Sequence, residues 1–185
     1  MSTHAKAAAK FLADRERAAW HDRALYHVRE KRDRMAHAVP EWEALRQAAS
    51  EIKLHTLSHL GRYLEEFERN ATANGMVVHW ASDAREMNRI VLDILRRHGG
   101  RTLIKSKSML SEECGLAPFL AGQGIDAVES DLGERIMQLM HRPPSHIVLP
   151  AIHVRREEVG ELFERELGTA RGDSDPTYLT HEARK

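Results

Sequence analysis

Arg101-Thr102-Leu103-Ile104-Lys105-Ser106-Lys107-Ser108 opens, and Gly124-Ile125-Asp126-Ala127-Val128-Glu129-Ser130-Asp131 closes, the stretch whose reading decides the fold. Each octet holds a short apolar run that ends abruptly in polar and charged residues. Between them, Met109 to Gln123 has the composition of a helix made irregular by Gly115 and Pro118. Strand, helix, strand in this order is a βαβ unit, and such units build parallel sheets.

The same alternation extends outward on both sides. Met76 to Ala81 reads as a strand, Ser82 as the cap of a helix running to His98, and Gly99-Gly100 as its stop. Beyond Asp131 a helix is expected from about Gly133 to Met140. A fourth strand is expected over His146 to Ile152, entered through Pro143-Pro144-Ser145, with Arg155 to Leu167 as its helix. The fold class is therefore α/β, a partial open parallel sheet with flanking helices. Ahead of it, Ala5 to Asn74 reads as helix, broken at Pro40 and stopped by Asn74-Gly75. In the first stretch Phe11, Trp20, Leu25, Val28 and Met35 are diluted by charge, as in an arm that lies on another surface. In the second, Leu45, Ile52, Leu57, Leu60, Leu64 and Phe67 recur at helical spacing and are expected to face a core. The expected division is a charged helical arm over 1–40, an incomplete α/β domain with its leading helix over 41–168, and a polar tail over 169–185 that starts a truncated segment, with a further helix beginning near Tyr178.

Composition narrows the function classes. Lys and Arg number 28 and so do Asp and Glu, so the charge excess of a nucleic-acid binder is missing. No apolar run approaches the roughly 18 residues of a membrane span, and the N-terminus has no signal-like stretch, so a cytoplasmic location is expected. Cys114 is the single cysteine, which excludes an internal disulfide and any cluster held by four thiolates of this chain.

Ligands of open parallel sheets bind outside the carboxyl ends of the strands, which selects the candidate residues. Lys105, Ser106, Lys107 and Ser108 could receive a phosphate or carboxylate on two ammonium groups and the N–H groups of a helix start. The plainer alternative is two solvated lysines and a capping serine. Glu129, Asp131 and Glu134 could pair with those lysines or hold a hard cation, pairing being the plainer role. His153, at the end of the fourth strand, is a proton carrier, a ligand or a structural imidazole, whereas His146 stands at the wrong end. His55 and His59 share a helix face but lack a third ligand or an intervening acid, and Cys114 reads as an inert thiol. No metal site is expected and no catalytic residue is assigned. No G-x-G-x-x-G, P-loop or G-x-S-x-G motif is present.

The order Lys105-Ser106-Lys107-Ser108-Met109, Glu129-Ser130-Asp131-Leu132-Gly133-Glu134, then Pro143-Pro144-Ser145-His146-Ile147-Val148 with Pro150 and His153 resembles the LUD-domain iron-sulfur proteins of bacterial L-lactate utilisation. Trp42 and Ser50-Glu51-Ile52-Lys53 extend the likeness, which runs from roughly Ala24 to Lys185. The resemblance implies a fold similar to the sugar-phosphate isomerase and CoA-transferase group. It also implies a cytoplasmic subunit of a three-component complex that oxidises L-lactate to pyruvate. Full-length members continue with a glycine-rich half-domain and a ferredoxin-like region carrying two [4Fe-4S] clusters, so the chain is expected to be the front part of such a subunit, with no cofactor of its own. Expected partners are the other subunits of that complex, with self-association left open and neither nucleic acid nor membrane involved. Two other functions stay in view: a non-catalytic interaction module docking through Ala5 to Val39, and a binder of small phosphate or carboxylate anions.

Overall fold

A computed structural model describes residues 3–184; residues 1, 2 and 185, the outer limits of the expected arm and tail, lie outside it. The chain divides into two compact units, residues 1–80 and 81–185.

The first unit is helical: α1 (Thr3–Ala13), α2 (Arg15–His37), α3 (Trp42–Ser58) and α4 (Leu60–Ala73). The break around Pro40 forms as expected. Two more appear where polar side chains compete with the helical backbone. Asp14 accepts the Arg17 N–H at 3.0 Å and so caps α2. His59 leaves helical geometry at φ −122° while its Nδ1 lies 2.8 Å from the His55 carbonyl. Gly75, at φ +81°, ends the run beyond α4, a conformation that costs glycine little.

The expected core face of this unit is corrected. Leu45, Ile52, Leu57, Leu60, Leu64 and Phe67 are exposed, and among the described residues of the unit only Ala71 is buried. Helical periodicity shows that a face is apolar, not that anything covers it. Here α1 meets α2 and α3 meets α4, and the stripe is left open. The strand expected over Met76 to Ala81 is also absent: the segment has no ladder, its Met76 and Val77 are exposed, and the Trp80 indole donates to Glu68 at 2.8 Å. A short apolar run with neither partner strand nor buried face has nothing to hold it as sheet.

The second unit runs α5 (Ala84–Arg97), β1 (Thr102–Lys105), α6 (Met109–Glu113), α7 (Leu116–Ala121), β2 (Asp126–Glu129), α8 (Leu132–Leu139), α9 (Arg156–Leu167) and α10 (Pro176–Glu182). Asp83, not Ser82, caps α5, accepting the Glu86 N–H at 2.7 Å; Ser82 instead donates to the Glu86 carboxylate. The irregular helix of the opening stretch resolves into α6 and α7, hinged at Gly115 with φ +62°.

β1 and β2 pair in parallel, with Thr102 opposite Asp126 and Lys105 opposite Glu129. The pairing is closed by Asp126 N–H to the Arg101 carbonyl and Ser130 N–H to the Lys105 carbonyl, each 2.9 Å. Leu92, Leu116, Leu120, Ile125 and Ala127 form a core beside this pair. The outer edge of β2 is occupied by a side chain: Gln138 Nε2 donates to the Ala127 carbonyl at 2.5 Å and its Oε1 accepts the Glu129 N–H at 3.2 Å.

Of the four expected strands, these two form among the described residues. His146 to Ile152 is a chain of turns: His146 Nδ1 accepts the N–H groups of Val148 and Leu149 at 3.0 and 3.1 Å, and Ser145 closes onto the Pro150 carbonyl. Donors taken by a local side chain are lost to a ladder, and Pro150 has none to give. A second core of Ile136, Met137, Val154, Val159, Leu162, Phe163 and Leu179 joins α8, α9 and α10. The architecture is an α/β one, mostly helical, with a short open parallel pair and flanking helices.

Candidate functional site

Parallel pairing in register places the last residues of β1 and β2 side by side, so Lys105 and Glu129 meet at the carboxyl end of the sheet. The Lys105 side chain is 8% exposed. Its ammonium pairs with Glu129 and, at 2.5 Å, with Glu112 of α6. Burial works against the charge, but the two carboxylates outweigh it and raise the Lys105 pKa.

The chain then turns sharply. Lys107 sits at φ +50°, an uncommon conformation for a residue with a side chain, and this aims its N–H at the Glu134 carboxylate, 3.0 Å away. Its ammonium is exposed and pairs with Asp131 at 2.7 Å. Asp131 also caps α8, accepting the Glu134 N–H at 3.1 Å. Partial burial of Asp131 opposes ionisation, yet Lys107 and the backbone donors win and hold its carboxyl below the usual range; the same contact raises Lys107. Ser106 is exposed, and Ser108 accepts the Ser111 N–H at 3.4 Å as the cap of α6.

Glu129 and Glu134 are 7% and 5% exposed. One oxygen of each, Oε2 of Glu129 and Oε1 of Glu134, is buried without a hydrogen-bond donor. Desolvation pushes the Glu129 pKa up to about 7, with Glu134 and Glu112 adding to the rise and Lys105 opposing it. Both carboxylates line a cavity of about 80 Å³ together with Glu112, Gln138, Met137 and Arg142.

The structure thus brings together Lys105, Lys107, Glu129, Asp131 and Glu134, with both lysines already paired to carboxylates. Ser106 and Ser108 flank them as backbone turn and cap. His153 is in a different setting: its Nδ1 lies 2.7 Å from Ser145 Oγ, within the turns after Pro144. His55 and His59 stack at 4.5 Å, with His55 Nε2 2.9 Å from the Tyr63 hydroxyl. Among the described residues no group of three or more His, Cys, Asp or Glu is placed to hold a metal ion.

Sequence reasoning missed Glu112, Gln138 and Arg142. Gln138 follows Glu134 at i+4 and so shares its helix face, a readable signal. Glu112 reaches Lys105 only because α6 folds back over the end of β1, which no local spacing reveals.

Comparison with known proteins places residues 64–185 in the LUD domain family. Lactate utilization protein B of Exiguobacterium sp. is 41% identical over 158 residues, 85% of this chain and 33% of that protein. Lactate utilization protein B of Bacillus subtilis is 37% identical over 155 residues, 83% and 32% of the two chains. The uncharacterized electron transport protein YkgF of Escherichia coli is 38% identical over 149 residues, 80% and 31%. The chain spans about a third of the length of these curated relatives. No solved structure matches.

Proposed function

The chain belongs to the LUD domain family, and on that premise we propose that it is part of an iron-sulfur, electron-transferring subunit acting in the oxidation of L-lactate to pyruvate. The observation that carries this reading is the 41% identity to a lactate utilization protein B across 85% of the chain. In this reading the chain works in the cytoplasm beside the other subunits of the lactate system. The carboxyl end of β1 and β2 is its ligand-facing rim.

The two [4Fe-4S] clusters of the family do not fit the residues present. Cluster irons take four thiolates, and Cys114 is the only cysteine. Electron transfer therefore belongs to other parts of the assembly, and the residues of this chain bind, orient and pair charges.

Deleting the coding sequence in the host is expected to abolish growth on L-lactate as sole carbon source while leaving growth on glucose intact, with restoration from a plasmid copy. Unimpaired growth on L-lactate would overturn the reading.

A second reading, a non-catalytic interaction module with residues 1–40 as a docking arm, draws support from the exposed Leu25, Tyr26, Val28 and Met35 of α2. Removing residues 1–40 from the protein in its host and purifying the complex separates the two: unchanged assembly counts against the arm.

A further inference from the structure

Each of two adjoining carboxyl groups has one oxygen accounted for and one not. Glu129 Oε1 pairs with Lys105, and Glu134 Oε2 accepts the Lys107 N–H at 3.0 Å. Glu129 Oε2 and Glu134 Oε1 are sealed from solvent without a donor, on residues 7% and 5% exposed. A buried acceptor left unmatched carries a desolvation cost, and while it stays sealed no outside water or ligand can meet it. The donor has to come from within, and the two carboxyls are hydrogen-bonding neighbours. One proton between them satisfies both oxygens, as two ionised carboxylates cannot. The charged groups around the pair are Lys105 from β1, Lys107 and Asp131 from the two turns, Glu112 from α6 and Arg142 beyond α8, with Arg135 of α8 reaching Gln138 at 2.7 Å; α7 contributes only Ala117. Lys105 is divided between Glu112 and Glu129, the Lys107 ammonium is engaged by Asp131, and Arg142 is exposed. Among the described residues Glu134 therefore has no ion pair of its own.

We propose that Glu129 and Glu134 share one proton and together form a pH-sensitive latch on the turn between β1 and α6, closed with the proton in place and open once it is lost to water. With the proton, Glu134 keeps one oxygen against Glu129 and the other on the Lys107 N–H. Without it, two adjacent carboxylates repel in a setting that screens them poorly. Glu129 is anchored by Lys105, so Glu134 is the one to move, and the Lys107 N–H loses its acceptor. Lys107 stands at φ +50°, a conformation that a residue with a side chain keeps only when its neighbours impose it, so the turn relaxes. Its ammonium stays tied to Asp131 at 2.7 Å, which confines the opening to residues 105–108. Lys107 and Asp131 also line a cleft of about 320 Å³ together with Gly133 and residues 148–152, so the latch sets the shape of that cleft. Desolvation, by raising the Glu129 pKa to about 7, puts the transition near neutrality.

The test is NMR spectroscopy of the full chain at about pH 6 and about pH 8, on either side of the Glu129 pKa. Amide exchange at Lys107, scaled to the rate of an unstructured peptide at each pH, is expected to lose protection about tenfold at the higher value, where roughly a tenth of the molecules keep the proton. Phe163, in the core of α9, is expected to stay protected at both, which marks the opening as local. In the same samples the side-chain carboxyl carbons of Glu129 and Glu134 are expected to shift through one common step. Glu129→Gln and Glu134→Gln each put amide hydrogens, which do not titrate, where the shared proton was. Both variants are therefore expected to hold Lys107 protected at about pH 8. Equal Lys107 protection at the two pH values, titration of Glu129 without a response from Glu134, or a fall of about tenfold that persists in both variants would overturn the latch. The first two outcomes are read on the wild type and stand even if a buried variant unfolds.

Discussion

Glu129 is a carboxyl group placed where its charge is costly: buried, next to Glu134, and only partly compensated by Lys105. Its pKa of about 7 lies above the 4.5 of an open chain, so the folded state holds its proton more tightly than the unfolded state. The stability this contributes is complete below about 4.5 and is lost as pH rises through about 7. Asp131 behaves oppositely, its contribution being present above its ordinary value of 3.8 and lost on acidification. The window between therefore separates the contribution of Glu129 from that of Asp131. Chemical unfolding followed across it should show stability falling with pH in the wild type, and Glu129→Gln should flatten that slope. A slope that persists in the variant would assign it to another group. The strand-end residues were legible because a run of β-formers that stops in charge marks the carboxyl edge of a parallel sheet. Their pairing was not, since whether Lys105 faces solvent or two glutamates depends on where α6 lands.

Among the elements, α9 depends on a missing side chain. A Cβ on Gly160 would stand 2.5 Å from the carbonyl oxygen of Asp173, in the segment that leads into α10. Because that neighbour is backbone, Gly160→Ala should destabilise the protein by about 1–3 kcal/mol, read as a lower denaturation midpoint; an unchanged midpoint would show that the segment is free to shift. α8 supplies a second case. Gln138 occupies the positions that a neighbouring strand would fill, so Gln138→Leu leaves the Ala127 carbonyl and the Glu129 N–H without partners, at a cost of about 1–3 kcal/mol for each group that stays dry. Amide hydrogen exchange at Glu129 should accelerate accordingly, and unaltered protection would argue against this capping role. Among elements held by their own caps and turns, α5 was legible to within one residue of its cap and the irregularity before α7 from Gly115, whereas the break that Asp14 makes ahead of α2 was not, because a single capping side chain in a helix-forming run leaves the periodicity unchanged. The two missing strands were not, because apolar runs of that length form sheet only beside a partner, and sequence pattern names no partner.

Over the whole molecule, burial is uneven. The 81–185 unit owns two apolar cores, whereas the 1–80 unit buries Ala71 alone among its described residues. Ile52 and Leu57 of α3 are 66% and 68% exposed, so replacing both with Glu should leave thermal stability nearly unchanged, within about 0.5 kcal/mol per site. A drop of several degrees would show that the stripe is covered in solution. The parallel-sheet class was legible from alternation alone, and the helical lead from composition. The depth of burial was not, because a periodic stripe looks the same in a core and on an open face.

The amide of Gln138 also gives the sheet a direction of growth. With the Ala127 and Glu129 backbone groups already engaged, β2 offers no template to an incoming strand. β1 has no strand on its other side among the described residues. Any polypeptide that extends this sheet therefore has one docking lane, alongside Thr102–Lys105, and the chemistry at the end of β2 stays at the sheet's margin rather than being overgrown.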